Sequence, residues 1–211
     1  IEIRVISENR DKLNIKSFLP SKKTVAVCQN KLETSKKWKA AKLPHPKTLA
    51  INNKNDLRDA FENLGPQIWI RKISGAAGRG SLLVSDYDIA KSWIDFNKGW
   101  GCFMAAEYLS PQSITWQAIW DDGALIVAQG RRRMYWEFAD RAPSGITGLT
   151  GTGVTISDES LDRLARKAIL AIDRKPDGIF SVDLTYDKNG LPNPTEINIA
   201  RFFTTQEYFT Q

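Results

Sequence analysis

The 211-residue sequence is poor in the residues on which many metal centres, disulfide frameworks and nucleophilic active sites depend. It has two cysteines, Cys28 and Cys102, and a single histidine, His45. Both cysteines stand in apolar, strand-like surroundings, which favours two buried thiols, and a reducing compartment such as the cytoplasm, over disulfides or a metal site. A lone histidine between two prolines has no positioned partner with which to activate a serine or cysteine nucleophile.

Long apolar runs are also missing. No segment approaches the roughly 18–20 uninterrupted apolar residues that a membrane-spanning helix needs. Apolar residues make up 42% and charged residues 26% of the chain, proportions typical of a soluble globular protein. The first residue is Ile1 and no signal segment follows it, so we expect residues 1–28 to be the remnant of a longer N-terminal domain or a linker.

The charge balance is mildly basic, with 30 basic and 24 acidic residues and a formal net charge of +6. A basic surface can bind nucleic acid, but a phosphate-rich small molecule explains the same excess. The basic residues are dispersed, and their short runs, such as Lys22-Lys23, Lys36-Lys37 and Arg131–Arg133, are typical of a solvated face. Nucleic acid is therefore the less favoured partner.

Residue periodicity and turn signals predict strands and helices that do not alternate regularly, which favours the α+β class over a doubly wound sheet. Residues 1–28 are predicted to be extended structure and loop, ending in a buried strand over Thr24–Cys28. Asp122-Gly123 predicts a hairpin turn. Further strands are predicted over residues 67–72, 82–85, 102–109, 114–120, 124–130, 178–186 and 195–198, and helices between Asn30 and Pro44, over 57–64 and 89–96, and from Ser157 to Ile172. The seven tryptophans, among them Trp69, Trp93 and Trp116, are predicted to be core residues and not stacking platforms.

A small-residue segment, Ser74–Gly80, lies between two of these predicted strands. Its glycines would let backbone N–H groups approach phosphate oxygens, and Arg71, Lys72 and Arg79 would supply positive charge. The segment is neither a P-loop, since no Gly-Lys-Ser/Thr follows it, nor a dinucleotide fingerprint, since it opens no helix. A plain hairpin tip is the alternative.

Two carboxylates, Asp183 and Glu196, stand on strands predicted to form a tight hairpin, and Asn198 shares the face of Glu196 because side chains two apart point the same way. Such a set suits Mg²⁺, which prefers hard oxygen ligands and bridges carboxylates to phosphates. An exposed hairpin with polar outer residues is the alternative. Arg201 favours the metal site, because it would place a cation beside bound phosphate.

Five short motifs, taken in order, resemble those of the ATP-grasp superfamily, and most closely its carbamoyl phosphate synthase large-subunit-like, carboxylate-amine ligase group. They are Asn30-Lys31, Ile70–Ser81, Ala106–Leu109, Asp183 and Thr195–Arg201. The resemblance covers about residues 24–205 and rests on the order of motifs that are individually weak. It implies two α+β lobes that grip ATP between antiparallel sheets, with a small lobe over about 47–107 and a large lobe over about 108–211 plus the helix at 29–43.

The resemblance also implies roles around the nucleotide. Lys31 and Arg71 would match the two cations that reach its phosphates, and the loop from Gly75 to Gly80 would close over the triphosphate. Glu107 and Leu109 would form the hinge whose backbone binds the adenine edge. The loop residues so assigned are Gly75, Gly78, Arg79 and Gly80.

For the metal and the reaction, the resemblance assigns Asp183, Glu196 and Asn198 as ligands of Mg²⁺ or Mn²⁺. Arg201 would lie near the transferring phosphate. Arg133 would contact the substrate or an acyl phosphate, although the neighbouring Arg131 could align instead.

The chain departs from the family pattern in four places. Lys72 and Ala77 stand where proline and glycine are common, and the ending Asn198–Arg201 has one residue more than Asn-Pro-Arg. Ser113, or its neighbour Gln112, stands about where an acidic residue usually holds the ribose.

The function implied is that of an ATP- and Mg-dependent ligase. It would activate a small-molecule carboxylate, or bicarbonate, as an acyl phosphate for attack by an amine or another nucleophile. A homodimer is compatible with this reading. A non-catalytic ATP- or ADP-binding module with the same fold is the main alternative, and a basic nucleic-acid-binding domain is the less favoured one.

Overall fold

The computed structural model describes residues 2–15, 17–75, 78–147 and 149–200. Its helices are α1 Glu2–Glu8, α2 Lys22–Cys28, α3 Lys31–Ala40, α4 Lys54–Leu64, α5 Tyr87–Phe96 and α6 Glu159–Leu170. Its strands are β1 Thr48–Ile51, β2 Ile68–Lys72, β3 Leu82–Val84, β4 Phe103–Glu107, β5 Ser113–Asp121, β6 Ala124–Trp136, β7 Thr150–Ile156, β8 Gly178–Tyr186 and β9 Pro192–Ile199. None of the helices described is long and apolar enough to cross a membrane.

The first sheet is antiparallel, with the strand order β1-β4-β2-β3. Helices α4 and α5 cover one of its faces with buried side chains that include Leu57, Ala60 and Ile94. The Asn53 side chain caps α4 by accepting hydrogen bonds from two backbone N–H groups of its first turn. Gly65 ends the helix with a φ of 110°, a conformation that glycine adopts without strain.

The second sheet is antiparallel, with the order β7-β6-β5-β8-β9. Strands β5 and β6 are joined at Asp122-Gly123, where both residues have positive φ, as the predicted hairpin requires. Helices α2, α3 and α6 pack on one face of this sheet. The fold class predicted from the sequence, α+β with two antiparallel sheets, is confirmed.

The two faces of the second sheet differ because successive side chains of a strand point in opposite directions. One face carries the apolar residues that meet the helices, such as Trp116, Val182 and Ile197. The other face carries a row of polar residues across four strands: Arg131 and Arg133 on β6, Ser113 and Thr115 on β5, Asp183 on β8, and Glu196 and Asn198 on β9. This polar face is turned towards the first sheet.

The predicted strand over Thr24–Cys28 is wrong, because this segment is helix α2. The Ser21 side chain accepts a hydrogen bond from the Thr24 backbone N–H and caps the helix. Thr24, Val25 and Cys28 are the buried residues, a spacing that places them on one side of a helix against the second sheet. Tertiary packing here overrides the strand propensity of the β-branched residues.

The two cysteines differ, contrary to the prediction that both are buried. Cys28 is buried in the larger core, and burial raises the pKa of its thiol to about 12, with a smaller contribution from the charge of Asp173. Cys102 is exposed, because it lies in the turn just before β4 and not within the strand. Neither takes part in a disulfide.

Candidate active site

A cleft of about 430 Å³ lies between the two sheets and is lined by residues of both. Its lining includes all but two of the described residues that the sequence assigned to a site. Those lining it are Lys31, Arg71, Gly75, Gly78, Arg79, Glu107, Leu109, Arg133, Asp183 and Glu196. The other two, Gly80 and Asn198, adjoin lining residues, and Arg201 lies outside the described residues.

Two cations and one carboxylate meet across the cleft. Lys31 begins helix α3 just after its Asn30 cap, Arg71 lies on β2 of the first sheet, and Glu196 lies on β9 of the second. Glu196 Oε2 is 3.4 Å from Lys31 Nζ and 3.2 Å from Arg71 Nη2. Arg71 Nη2 also donates to the backbone oxygen of Thr195 at 2.9 Å. Arg71 therefore links the two sheets at the bottom of the cleft.

The charges of this cluster compensate one another. Burial alone would raise the pKa of Glu196, but the nearby Lys31 and Arg71 outweigh it, so the pKa is lowered and the carboxylate is ionised at neutral pH. Burial lowers the pKa of Lys31, although Glu196 opposes that effect. The cluster thus concentrates positive charge around one carboxylate.

Asp183 and Glu196 stand directly opposite each other on β8 and β9. Asn198 joins them, since its Nδ2 donates to Asp183 Oδ2 at 2.9 Å and to Glu196 Oε1 at 3.3 Å. Thr115 Oγ1 donates to Asp183 Oδ1 at 2.8 Å. With Lys31 and Arg71 on Glu196 Oε2, each of the four carboxylate oxygens has a donor from the protein.

These residues fit a hard cation such as Mg²⁺, because two carboxylates and an amide offer oxygen ligands on one face. The described residues contain no cluster of three or more His, Cys, Asp and Glu side chains suited to a metal. The two carboxylates, Asp183 and Glu196, would therefore need the Asn198 amide, or oxygens of a bound ligand, to complete the coordination shell of a metal ion.

Arg133 lies in the cleft wall on β6. Its guanidinium donates to three hydroxyl groups: Nε to Thr150 Oγ1 at 2.8 Å, Nη2 to Thr115 Oγ1 at 3.3 Å, and Nη1 to Ser113 Oγ. Burial lowers the pKa of Arg133, while Asp183 and Glu196 act in the opposite direction. Arg131, the alternative that the sequence left open, is only 2% exposed and is not part of the cleft lining.

The glycine-rich loop connects β2 to β3 and rests against the second sheet's side of the cleft. Lys31 Nζ donates to the Gly75 backbone oxygen at 2.8 Å. A Cβ atom on Gly78 would lie 2.7 Å from the backbone oxygen of Ile146, so only glycine allows this close approach. Ala76 and Ala77, in the middle of the predicted phosphate loop, lie outside the described residues.

The predicted hinge begins at Glu107, the last residue of β4. The Glu107 backbone N–H donates to the Lys47 backbone oxygen at 2.9 Å, and its carboxylate accepts a hydrogen bond from the Lys47 N–H at 3.3 Å. Leu109 also lines the cleft. Within the described part of the chain, no acceptor takes up its backbone N–H. That N–H is available to a ligand in the cleft.

Sequence reasoning missed several residues of the cleft. Trp136 lines it and stacks on Arg133, although the tryptophans were predicted to be core. Ser144, Gly145 and Ile146, from the loop between β6 and β7, also line it. Only the Ser-Gly pair in this loop could have indicated a chain segment near a ligand, and no local signal marks Trp136.

Similarity to known proteins exists at the level of structure. The sequence matches no protein-family model and shows no significant similarity to a curated protein. Carboxyaminoimidazole ribonucleotide synthase from Aspergillus clavatus, complexed with ATP, superposes with a TM-score of 0.75 at 17% identity over 97% of this chain and 52% of its own.

Two further solved structures, of differently named enzymes, also superpose on this chain. D-alanyl-alanine synthetase A from Vibrio cholerae has a TM-score of 0.76 at 13% identity, over 97% of this chain and 64% of its own. D-alanine–D-alanine ligase from Bacillus anthracis, complexed with ATP, has a TM-score of 0.71 at 19% identity, over 94% of this chain and 64% of its own. The chain thus spans between about half and two thirds of the length of these structures.

These superpositions, together with the two facing antiparallel sheets, define the class: this chain has the ATP-grasp fold. The fold predicted from the order of five short motifs is confirmed. At identities of 13–19% the likeness establishes the fold alone. Only the side chains that line the cleft indicate which chemistry the chain supports.

Proposed function

We propose that this chain binds ATP with Mg²⁺ or Mn²⁺ and activates a carboxylate, or bicarbonate, as an acyl phosphate that an amine or another nucleophile then attacks. The observation that carries the proposal is the meeting of Lys31, Arg71, Asp183 and Glu196 in one cleft between the two sheets. Phosphoryl transfer needs this combination, because it depends on positioning and on charge neutralisation more than on covalent chemistry by the protein.

Lys31 and Arg71 are proposed to hold the phosphates. Both are cations whose present partner is Glu196, so an incoming triphosphate would compete with that carboxylate for them. Arg71 Nε is buried and has no hydrogen-bond partner among the described residues, which is rare for a buried donor and leaves it for a phosphate oxygen. The backbone of the Gly75–Gly80 loop would cover the phosphates from the first sheet.

Asp183, Glu196 and Asn198 are proposed to hold the metal ion. When bound, Mg²⁺ would neutralise phosphate charge and orient the phosphates beside these side chains. Asn198 now presents its Nδ2 to both carboxylates, so it would have to turn its amide to offer Oδ1. Arg201, which lies outside the described residues, is proposed from the sequence to act near the transferring phosphate.

The proposed reaction has two steps. In the first, a carboxylate oxygen bonds to the γ-phosphorus as the bond to ADP breaks. In the second, the nucleophile attacks the carbonyl carbon, releasing inorganic phosphate and losing a proton. Arg133 would hold the carboxylate, and the loops carrying Gly78 and Ile146, which touch across the cleft, would exclude water that could hydrolyse the acyl phosphate.

A non-catalytic nucleotide-binding module is the second candidate. It is favoured by Ser113, which stands where the resemblance calls for a ribose-holding acid and whose Oγ already accepts a hydrogen bond from Arg133. Such a module would bind ATP without producing ADP. A cytoplasmic location and a homodimer stay predictions from the sequence.

The test is a screen for ADP release in which Mg-ATP is combined with amino acids and small carboxylates, each with and without an amine. We expect at least one combination to release ADP in proportion to a ligated product. Glu196→Ala should abolish that release, and Lys91→Ala, which removes a half-buried lysine outside the cleft lining, should not affect it. Tight Mg-ATP binding without ADP release in any combination would favour the non-catalytic module.

A further inference from the structure

Strand β6 is irregular where it passes the cleft. Arg133 pairs with Gly153 of β7, Tyr135 with Thr152, and Trp136 with Thr150. Met134 therefore has no pairing partner on β7, and Gly151 has none on β6. Bulges of this kind re-aim side chains and are found next to active sites.

The irregular pairing changes the face of the sheet on which Trp136 and Thr150 lie. In a regular strand, Arg133 and Trp136 would point to opposite faces, because they are three residues apart. The extra residue on each strand brings both Trp136 and Thr150 to the face of Arg133. Both then contact it: Arg133 Cζ is 3.5 Å from the centroid of the Trp136 ring, and Nε donates to Thr150 Oγ1 at 2.8 Å.

The contacts leave part of the guanidinium unused. Three of its five N–H groups point to the hydroxyls of Ser113, Thr115 and Thr150. One N–H remains on each terminal nitrogen, and a guanidinium with an N–H free on both terminal nitrogens can hold a carboxylate with two hydrogen bonds. Among the described residues, no carboxylate lies within ion-pair distance of Arg133. Stacking on an aromatic face fixes the plane of the group without using any N–H.

We propose that Trp136 is a positioning residue, turned into the cleft by the bulge, that orients the Arg133 guanidinium as a two-pronged site for a carboxylate. This inference rests on the proposed function only in identifying that carboxylate as the acceptor to be activated. The oxyanion site itself is a property of the chain alone. A non-aromatic side chain at 136 leaves the charge in place but not its orientation.

The experiment follows the indole N–H resonances of ¹⁵N-tryptophan-labelled protein by NMR while acetate is added. Seven tryptophans give seven signals, and Trp136→Phe assigns the signal of interest by its loss. We expect acetate to shift the Trp136 signal along a saturable curve, with bicarbonate acting in the same way. Acetamide, which has the same shape without the charge, should not shift it, and Arg133→Gln should keep the signal but abolish its response to acetate.

The role of Trp136 itself is measured through the variants, using saturation transfer to the acetate methyl group to obtain affinity. Trp136→Leu should bind acetate about tenfold more weakly, within the range of a partly desolvated cation–π pair, and Trp136→Phe should recover most of that loss. Trp100→Leu, which changes a tryptophan of the other sheet's lobe outside the cleft, should bind like the original chain. Unchanged signals from the other indoles verify the fold of each variant.

The acetate measurements test the role of Trp136 separately from the proposed nucleotide function. Equal acetate affinity in Trp136→Leu and Trp136→Phe excludes the positioning role. A response to acetamide, a response in Arg133→Gln, or no response to either anion excludes the oxyanion site. Mg-ATP binding is measured separately on the same samples, and its absence would refute the nucleotide proposal while leaving the acetate result to stand.

Discussion

The two faces of the five-stranded sheet are built from alternate residues of the same strands, yet they serve different purposes. Ile197 and Ile199 on β9 are 4% exposed and pack under the helices, whereas Glu196 and Asn198, which alternate with them along the strand, lie on the polar face. Burial of the apolar face stabilises the chain, and the charged side chains of the polar face have partners across the cleft and along the sheet. The packed face and the polar face are thus separated by a single step along the chain.

The largest expected effect comes from substituting neighbours on the two faces. Glu196→Ala should reduce Mg-dependent ADP release by at least about 100-fold, because loss of even an indirect support of a metal ion costs about 10–100-fold in affinity. Ile197→Ala should instead lower the free energy of unfolding by about 2–5 kcal/mol, the cost of a cavity in a packed core. Its activity per folded molecule should persist.

Urea denaturation and an ADP-release assay on both variants measure this contrast. If Glu196→Ala destabilises the chain more than Ile197→Ala does, the cluster of Lys31, Arg71 and Glu196 is chiefly structural. Normal ADP release by Glu196→Ala would refute the metal assignment.

A second substitution addresses the cation that reaches the polar face from the first sheet. Arg71→Ala should weaken ATP binding by about 10–100-fold, the range for loss of a charged hydrogen bond. Arg71→Lys should recover part of this, since a point charge still attracts phosphate but cannot reach both Thr195 and Glu196 as the guanidinium does.

Calorimetric titration with a non-hydrolysable ATP analogue gives these affinities. Lys91→Ala is the matched control, because Lys91 is also paired with a carboxylate, Asp95, but lies outside the cleft. Equal defects in Arg71→Ala and Arg71→Lys would indicate that Arg71 mainly joins the two sheets.

The apolar face was largely predictable from the sequence, and the polar face only in part. The spacing of Leu161, Ala165 and Ala168 predicted α6, which packs on this face, because local periodicity reports burial directly. The carboxylates Asp183 and Glu196 could be paired, since a short hairpin leaves few choices of register.

Features that depend on distant packing could not be read in this way. The β-branched run at Thr24–Cys28 became a helix because the Ser21 cap and the larger core decide its conformation. Trp136 reaches the cleft because Met134 on β6 and Gly151 on β7 are left out of the strand pairing. Nothing in the local sequence predicts that these two residues are unpaired. The assignment of Arg201 cannot be compared with the structure, because it lies outside the described residues.

The third prediction concerns the affinity of the polar face for a metal ion. Since each oxygen of Asp183 and Glu196 already accepts a hydrogen bond or ion pair from the protein, Mn²⁺ alone should bind weakly. A triphosphate would draw Lys31 and Arg71 away and add ligands of its own, so Mn²⁺ should bind at least about tenfold more tightly with a non-hydrolysable ATP analogue.

Electron paramagnetic resonance of free Mn²⁺ measures both affinities, the second after subtraction of the Mn²⁺ that the nucleotide analogue binds in a protein-free titration. Adenosine, which lacks phosphates, is the control and should leave the affinity for Mn²⁺ unchanged. Equal binding of Mn²⁺ with and without the triphosphate would show that the carboxylate pair is open to metal by itself.

The smallest expected effect is that of removing the 2′-hydroxyl from the ribose of the nucleotide. It compares the charged polar face with the neutral hinge segment, Tyr108–Ser113. From Tyr108 to Ser113 the hinge carries no carboxylate. Its two serine hydroxyls already have partners: Ser110 Oγ is 3.1 Å from Thr185 Oγ1, and Ser113 Oγ accepts from Arg133. A site built to hydrogen-bond a substrate hydroxyl rejects the analogue that lacks it by factors of about 10⁴–10⁵, because buried groups lose their partners.

Neither serine would be left unpaired here, so 2′-deoxy-ATP should bind within about threefold of ATP, as expected when the lost contact is made mainly to water. Competition titrations of the two nucleotides measure the ratio, and Ser113→Asp, which adds an acceptor at the hinge, should increase it in favour of ATP. A preference for ATP above about tenfold in the unmodified chain would mean that a group other than Ser113 holds the ribose. The neutral hinge would then also select the proposed nucleotide, and the charge of the polar face alone would not account for its binding.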